Sequence, residues 1–492
     1  MNSTRNSAEY ETVIGLEVHI QLNSQSKIFC PDQNAFSKDP NTNTSVISLA
    51  HPGTLPSLNR EIIEKAVKLG LAIGAQINRH FYFDRKNYFY ADLPKGYQIS
   101  QKNQPVCTGG SIRISSSKKT KSIRIHHVHI EEDAGKMLHH SDEQHSLLDF
   151  NRAGVPLLEL VTEPDLRSSK EVHSFIHKLR QLVRYLEISD GNMEEGSLRC
   201  DCNISVRPVG ATYLGKRCEI KNLNSARYAQ KAVEFEAERQ IKLILSGGSV
   251  SQETREFLPE SGVTRTLRSK EDAPDYRYFP EPDLPPIALS EEFIDKMRHQ
   301  MPPLPEEIYR RFRKELDLSD YDATILTETH EIAFKYLQLI EKSTLTPKLL
   351  ANFFINQFIP YLQENKLTPS EYPLKDNWVI EYLHLISENK ITASVASQLL
   401  LPALLKDPQR PLIAAQRMEL LQHSDEQEIL RFVREVISES PQQVRQYIRG
   451  KKSIITYFIG QVMRKSGGSA NPGVVKDLLS QALGEIDGSN HG

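Results

Sequence analysis

Residues 13–22 read Val13-Ile14-Gly15-Leu16-Glu17-Val18-His19-Ile20-Gln21-Leu22, and their alternation decides the fold. Period two sends Ile14, Leu16, Val18, Ile20 and Leu22 to one face of a strand and Glu17, His19 and Gln21 to the other. The same division recurs in residues 197–207. There Leu198, Cys200, Cys202, Ile204 and Val206 oppose Ser197, Arg199, Asp201, Asn203, Ser205 and Arg207. Residues 217–221 set Cys218 and Ile220 against Arg217, Glu219 and Lys221, and residues 157–163 set Leu158 and Leu160 against Glu159 and Glu163. If these four strands share an antiparallel sheet, one side is apolar and helix-covered. The other is an open surface of carboxylates, a histidine and cations.

Helices to cover such a sheet are present. Residues 169–188 carry Val172, Phe175, Ile176, Leu179, Leu182, Val183 and Leu186 at helical spacing, with Ser168 and Glu171 spaced as a capping box. Residues 59–74 and 225–247 give two more. The run Pro280–Pro286 (PEPDLPP) is too proline-dense to continue a helix or a central strand, and from Glu291 onward nearly everything reads as amphipathic helix. A further break falls at Asp407-Pro408-Gln409-Arg410-Pro411. The expected class is α+β: a catalytic sheet domain over 1–295, a helical domain over 296–410 and a helical tail over 411–492.

The 492 residues suit about three domains. Lys and Arg number 61 against 63 Asp and Glu, a net charge of −2, so nucleic acid could be met only by local patches. No apolar run approaches the ~18 residues of a membrane span, and the opening MNSTRNSAEY has no apolar signal segment. Five cysteines in so long a chain do not form a disulfide framework. The expectation is a cytoplasmic protein without membrane contact. Neither GxxxxGK[ST] nor GxGxxG occurs, which disfavours P-loop ATPases, common-fold kinases and dinucleotide oxidoreductases.

The polar face carries the chemistry. Glu17 and His19 stand two apart on a very apolar strand, and a second acidic group, His129-Ile130-Glu131-Glu132-Asp133, ends another strand-like run. Carboxylates with an imidazole fit a hard divalent ion that holds phosphates. Arg199, Lys221, Arg265, Arg268 and Lys270 supply positive charge for a nucleotide. Phosphoryl transfer is the reaction class this combination suggests. The plainer alternative is a solvated sheet face with scattered salt bridges.

Longer motifs go further. Gly15-Leu16-Glu17-Val18-His19, the run Tyr88–Ser100 (YFYADLPKGYQIS), His129–Lys136 (HIEEDAGK), Asp149–Glu159 (DFNRAGVPLLE), Glu219–Ser225 (EIKNLNS), Asp275–Asp283 (DYRYFPEPD), Gly460–Arg464 (GQVMR) and Ala470-Asn471-Pro472 lie in order along the chain. Together they resemble the GatB family, a component of glutamine-dependent aspartyl/glutamyl-tRNA(Asn/Gln) amidotransferases. The resemblance implies a cradle related in fold to glutamine synthetase-type ligases, then a helical domain and a tRNA-gripping tail. It further implies use of ATP and Mg2+ to phosphorylate the side-chain carboxylate of Asp or Glu misattached to tRNA(Asn) or tRNA(Gln). Ammonia from an amidase-type glutaminase partner then displaces the phosphate, and a small third protein holds the two larger ones together in a heterotrimer.

Residue by residue, Glu17 and His19 match the family's metal-site strand, and Glu131 and Glu132 fall on its second acidic element. Strand parity places Glu131 with His127 and His129 and Glu132 with Val128 and Ile130, leaving open which of the two coordinates. Glu159, Asp201 and Glu219 are further ligand candidates. Arg199, Lys221 and Arg268 are candidates for phosphate, and Glu17, His19, Glu132 and Lys221 are the catalytic set. Lys95, Tyr97 and Gln98 look like a loop lining a channel or substrate pocket. Arg445, Arg449, Lys451 and Lys452, interleaved with Tyr447, Tyr457 and Phe458, are the candidates for tRNA.

One departure stands out. Many members carry a four-cysteine zinc site early in the cradle, but here Lys27-Ile28-Phe29-Cys30 is followed by Pro31-Asp32, and the second half reads Ser48-Leu49-Ala50-His51-Pro52-Gly53. With Cys30 alone, no structural zinc is expected. Two rivals remain: a tRNA-binding adaptor without chemistry, which has no need of Glu17 and His19, and a stand-alone carboxylate-amine ligase, which has no need of the long helical region.

Overall fold

The computed structural model describes residues 9–489 apart from 38, 117–118, 140–144, 270–274, 422–425 and 467–469. It comprises two compact units, Met1–Glu307 and Ile308–Gly492.

In the first unit the opening strand, Tyr10–Gln21, lies at the heart of one large sheet. It pairs antiparallel with Pro156–Thr162 on one side and Leu198–Pro208 on the other. Beyond Pro156–Thr162 comes Lys119–Glu132; beyond Leu198–Pro208 come Cys218–Leu223, Glu253–Leu258 and Val263–Ser269. The four strands expected from alternation do share this sheet. The expectation that it is antiparallel throughout needs one correction, because Cys218–Leu223 and Glu253–Leu258 run parallel. Between them lies the helix Ala226–Leu245, the kind of crossover that a parallel neighbour requires.

The alternation sorts the two faces as the sequence implies. Ile14, Leu16, Val18, Ile20, Leu158, Leu160, Cys200, Cys202, Ile204 and Ile220 are fully buried, in one core with Val172, Phe175, Ile176, Leu179 and Val183 of the helix Ser169–Tyr185. Each Val, Leu, Ile or Phe side chain among them contributes roughly 1.5–3 kcal/mol on leaving water. The start of that helix differs from a capping box. Ser168 accepts from the Glu171 N–H, but the Glu171 carboxylate accepts from the Arg167 N–H and from Lys121.

A small sheet of Asp84–Asn87, Tyr97–Ser100 and Phe279–Pro280 abuts the end of Lys119–Glu132. The Ile99 N–H donates to Glu132 Oε1 at 2.9 Å, Gln98 Nε2 to the Glu132 carbonyl at 2.7 Å and Ser100 Oγ to Glu131 Oε2 at 3.3 Å. These bonds fix the small sheet against the acidic end of the large one.

In the second unit, residues are helical with Ser319, Thr329, Thr346 and Thr392 as side-chain N-caps. Pro411–Arg417 packs against Asp376–Ser387, and the residues from Glu426 onward build a core of their own from Ile429, Val433, Val436, Phe458, Val462, Val475, Leu479 and Leu483. Among the described residues no helix is long and apolar enough to cross a membrane.

Candidate active site

Strand register assembles the polar face in rows. Arg199, His19, Glu159 and His129 face one another in turn across four adjacent strands, and Asp201, Glu17, Val161 and His127 form the next row. Glu131, two residues on from His129 and so on the same face, closes the group.

His19 Nε2 lies 3.2 Å from Glu159 Oε2 and 3.5 Å from Glu131 Oε1; His129 Nε2 lies 3.3 Å from the same Glu159 oxygen and 3.4 Å from Glu131 Oε2. His19, Glu131 and Glu159 each offer one donor atom, all within 4.8 Å of one another. Carboxylates so close repel by roughly 3–4 kcal/mol at an effective dielectric constant of about 20, so the group demands positive charge. The imidazoles can provide it. Burial works against a charged His129, but the Glu159 charge and the hydrogen bonds to Glu131 and Glu159 outweigh it and lift its pKa to about 10. The same balance raises His19, while the two imidazoles outweigh burial and hold Glu159 well below the usual carboxylate range, with Glu131 also lowered. His127 stacks on His129 with ring centroids 5.4 Å apart, and burial together with the His129 charge drives its own pKa down to about 4.

Glu17 stands beside this group. Asn203 Nδ2 donates to its Oε1 at 2.8 Å, yet burial and the Glu159 charge push its pKa up. Lys221 bridges Asp201 at 3.3 Å and Glu219 at 3.0 Å; burial opposes its charge, but the two acids prevail and raise it. A cavity of ≈ 170 Å3 opens over Gly15, Glu17, Thr162, Asn203, Ser205 and Arg217.

The remaining candidates are placed apart. Glu132 points the other way from Glu131, to Lys95 and the Ile99 N–H, so the structure separates the pair whose roles parity left open. Lys95, Tyr97 and Glu132 line a second cavity of ≈ 190 Å3, together with Phe29, Cys30 and His51. Gly96 makes the turn there at φ +70°, with the Phe89 ring 3.0 Å from where a Cβ would stand. Arg199 Nη2 reaches Asp133 at 2.7 Å and leaves its Nε buried without a hydrogen-bond partner. Arg265 pairs with Glu256 on the outermost strand, four strand spacings or about 19 Å from His19. Arg268 faces Thr254 by register, but its side chain, like all of Lys270, lies outside the described residues. Arg445, Arg449, Lys451 and Lys452 are exposed in the second unit, with Lys452 Nζ 4.2 Å from the Tyr447 ring centroid.

Sequence reasoning assigned no role to His129 or Asn203. The signal for His129 was present, since it shares parity with Glu131; only strand register shows that it meets Glu159.

The model of the GatB/GatE catalytic domain matches residues 12–295, and that of the GatB domain matches residues 335–483. The B-subunit of the aspartyl/glutamyl-tRNA(Asn/Gln) amidotransferase of Gloeothece citriformis is 46% identical over 98% of this chain and 99% of its own. That of Synechocystis sp. is 45% identical over 99% and 100%, and that of Rickettsia canadensis 43% over 97% and 99%. The chain belongs to the GatB family. The catalytic-domain match of this family contains Glu17, His19, Glu131 and Glu159, and the GatB-domain match contains the exposed Arg445–Lys452 cations. Membership thus turns the ordered motifs of the sequence into a shared ancestry along almost the whole chain.

Proposed function

We propose that the first unit is the kinase-and-transferase half of a tRNA-dependent amidotransferase, its polar sheet face the cradle of a glutamine synthetase-type ligase. The observation that carries this reading is the His19, Glu131 and Glu159 group with its donor atoms within 4.8 Å, inside a chain of this family. Two carboxylates and one imidazole suit Mg2+, which prefers one or two protein carboxylates and keeps its remaining positions for water and phosphate oxygens. Bound there, the ion would neutralise phosphate charge.

The chain's own residues do the rest. The γ-phosphoryl group of ATP passes to a side-chain carboxylate oxygen of Asp or Glu esterified to tRNA(Asn) or tRNA(Gln), with ADP as leaving group. A free carboxylate is a poor acyl donor, whereas the acyl phosphate loses phosphate readily to ammonia, giving the amide. Lys221 is held on the same face by Asp201 and Glu219, aligned to meet phosphate oxygens, and Arg199 sits in the His19 row for the same purpose. Positioning and charge neutralisation are the main requirements of such a transfer. Glu17, held by Asn203, orients the approach to the group.

Ammonia comes in this reading from glutamine on an amidase-type glutaminase partner, with a small third protein completing a cytoplasmic heterotrimer. Lys95 and Tyr97, which line the ≈ 190 Å3 cavity, and Gln98, which donates to the carbonyl of the lining residue Glu132, mark the path by which it enters. The exposed cations of residues 445–452 hold tRNA. No zinc belongs at Cys30: it is one sulfur, burial pushes its thiol up to about 11, and Asp32 is spent on a hydrogen bond from Ser48. Metal analysis of the purified chain should find no stoichiometric zinc.

The test is conversion by the reconstituted complex. Glu-tRNA(Gln) or Asp-tRNA(Asn) with ATP and Mg2+ should be amidated from glutamine or ammonia, whereas free glutamate with ATP and ammonia should not. Amidation of free glutamate would favour the stand-alone ligase. Phosphorylation that survives loss of Glu159 would favour the adaptor.

A further inference from the structure

We propose that Asp133 is a positioning residue for phosphoryl transfer: it holds Arg199 away from the carboxylates around His19 and sets its guanidinium to meet the phosphoryl group that leaves ATP. The inference rests on the function proposed above and deepens it, because it names the group through which Arg199 is placed.

The need for an anchor follows from register. Arg199 and Glu159 flank His19 on the two neighbouring strands, so their backbones stand two strand spacings or about 10 Å apart. An extended arginine and a glutamate can close that gap. Left to itself, Arg199 would fold onto Glu159 and supply the positive charge that the proposed ion brings. Asp133 prevents this. Its Oδ2 accepts from Arg199 Nη2 at 2.7 Å, and its side chain is only 9% exposed. The carboxylate cannot follow the arginine, because the residue is pinned on both sides. The Asp133 N–H donates to the Val155 carbonyl at 2.8 Å, the Gly154 N–H donates to the Asp133 carbonyl at 2.9 Å, and Oδ1 accepts from the Ala134 N–H at 3.0 Å. Arg152 steadies the same turn by donating to the Ala134 and Gly135 carbonyls at 2.9 and 2.6 Å, with its Nε 3.6 Å from Asp133 Oδ2.

What the pair leaves over points to its use. Arg199 Nε is buried and has no hydrogen-bond partner, a costly state that a pair built for stability alone has no reason to keep. An anionic oxygen satisfies it. A planar guanidinium beside a pair of carboxylates suits a phosphoryl group in transfer, whose charge is spread over three oxygens. Asp133 also borders the ≈ 190 Å3 cavity with Lys95, Tyr97 and Glu132. One carboxylate thus borders the space assigned to ammonia and holds the cation assigned to phosphate, where the two reactants have to meet.

The test is a double-mutant cycle in the reconstituted complex, read as transfer of label from γ-labelled ATP to the carboxylate of Glu-tRNA(Gln) without an ammonia donor. Arg199→Ala should slow transfer. Asp133→Asn should lower kcat roughly tenfold with the KM for ATP little changed, the pattern of an interaction made in the transition state. In the Arg199→Ala background Asp133→Asn should cost nothing further. A merely structural role would lower kcat by the same factor in both backgrounds, so equal losses overturn the proposal, as does wild-type transfer by Asp133→Asn. Affinity for tRNA should match wild type in every variant, which reports an intact fold. If Asp133→Asn fails to assemble, Asp133→Glu takes its place: with its carboxylate one methylene further out, it must slow transfer with Arg199 present and not without it. Wild-type transfer by Arg199→Ala also refutes the proposal. Glu159→Gln separates this from the wider reading. Slow transfer by that variant with no effect of Asp133→Asn refutes the positioning role alone, whereas wild-type transfer by both refutes the proposed function as well.

Discussion

Glu159 Oε2 lies between two imidazoles, 3.2 Å from His19 Nε2 and 3.3 Å from His129 Nε2. Both histidines are its direct neighbours in register, one on each flanking strand. One carboxylate oxygen thus sets the spacing of the group, and His129, the less exposed of the two, braces it from within the sheet.

Replacing that brace should loosen the site without removing a ligand of the proposed ion. His129→Asn is expected to raise the Mg2+ concentration needed for half-maximal ATP hydrolysis by roughly 10- to 100-fold, the usual cost of losing a group that orients a ligand. Activity at saturating Mg2+ should fall much less. A magnesium titration of the purified complex checks this.

Glu132 answers to Lys95 instead, and both are largely enclosed. Lys95→Ala leaves a buried carboxylate without its counter-charge and should cost about 3 kcal/mol of stability, while Lys95→Ala with Glu132→Gln should recover much of the loss. Urea unfolding of these two variants and of Glu132→Gln alone measures the coupling.

In the second unit, burial alone would raise the pKa of Asp322, but Lys348 and the Ser319 cap hold it below the usual value. A lowered carboxylate gives stability that is present above its unfolded pKa of about 3.9 and is lost as pH falls through the folded value. Asp322→Asn should therefore cost about 1 kcal/mol at neutral pH, a modest figure because Lys348 is largely exposed. The difference should shrink at a pH well below that unfolded value. Denaturant melts at the two pH values decide it.

The exposed Arg445 and Arg449 offer another measurement. If both meet phosphates, Arg445→Ala with Arg449→Ala should reduce the slope of log affinity for tRNA against log salt by about 1.4–1.8 in magnitude. ATP hydrolysis without tRNA should not change.

The two faces of the sheet were legible because period two is a local property: Leu16, Val18 and Ile20 against Glu17 and His19 can be read from ten residues. Register is not local. That Glu159 meets His129, that Arg199 turns to Asp133 and that Lys221 joins Asp201 to Glu219 depend on how strands far apart in sequence slide against one another. Parity sorted Glu131 from Glu132 but could not say which face would hold the histidine of another strand. The parallel pairing of Cys218–Leu223 escaped notice for a related reason, since its cause is the path of the helix Ala226–Leu245 rather than any residue in the strands.

The most direct test follows the phosphoryl group itself. With γ-labelled ATP, Mg2+ and Glu-tRNA(Gln) but no ammonia donor, the wild-type complex should place label on the aminoacyl carboxylate, released as phosphate once ammonia is added. Glu159→Gln, nearly identical in size but uncharged, should bind the tRNA as wild type does and transfer label at least ~100-fold more slowly. Transfer at the wild-type rate by that variant would contradict the account, because the group around His19 would then take no part in the chemistry.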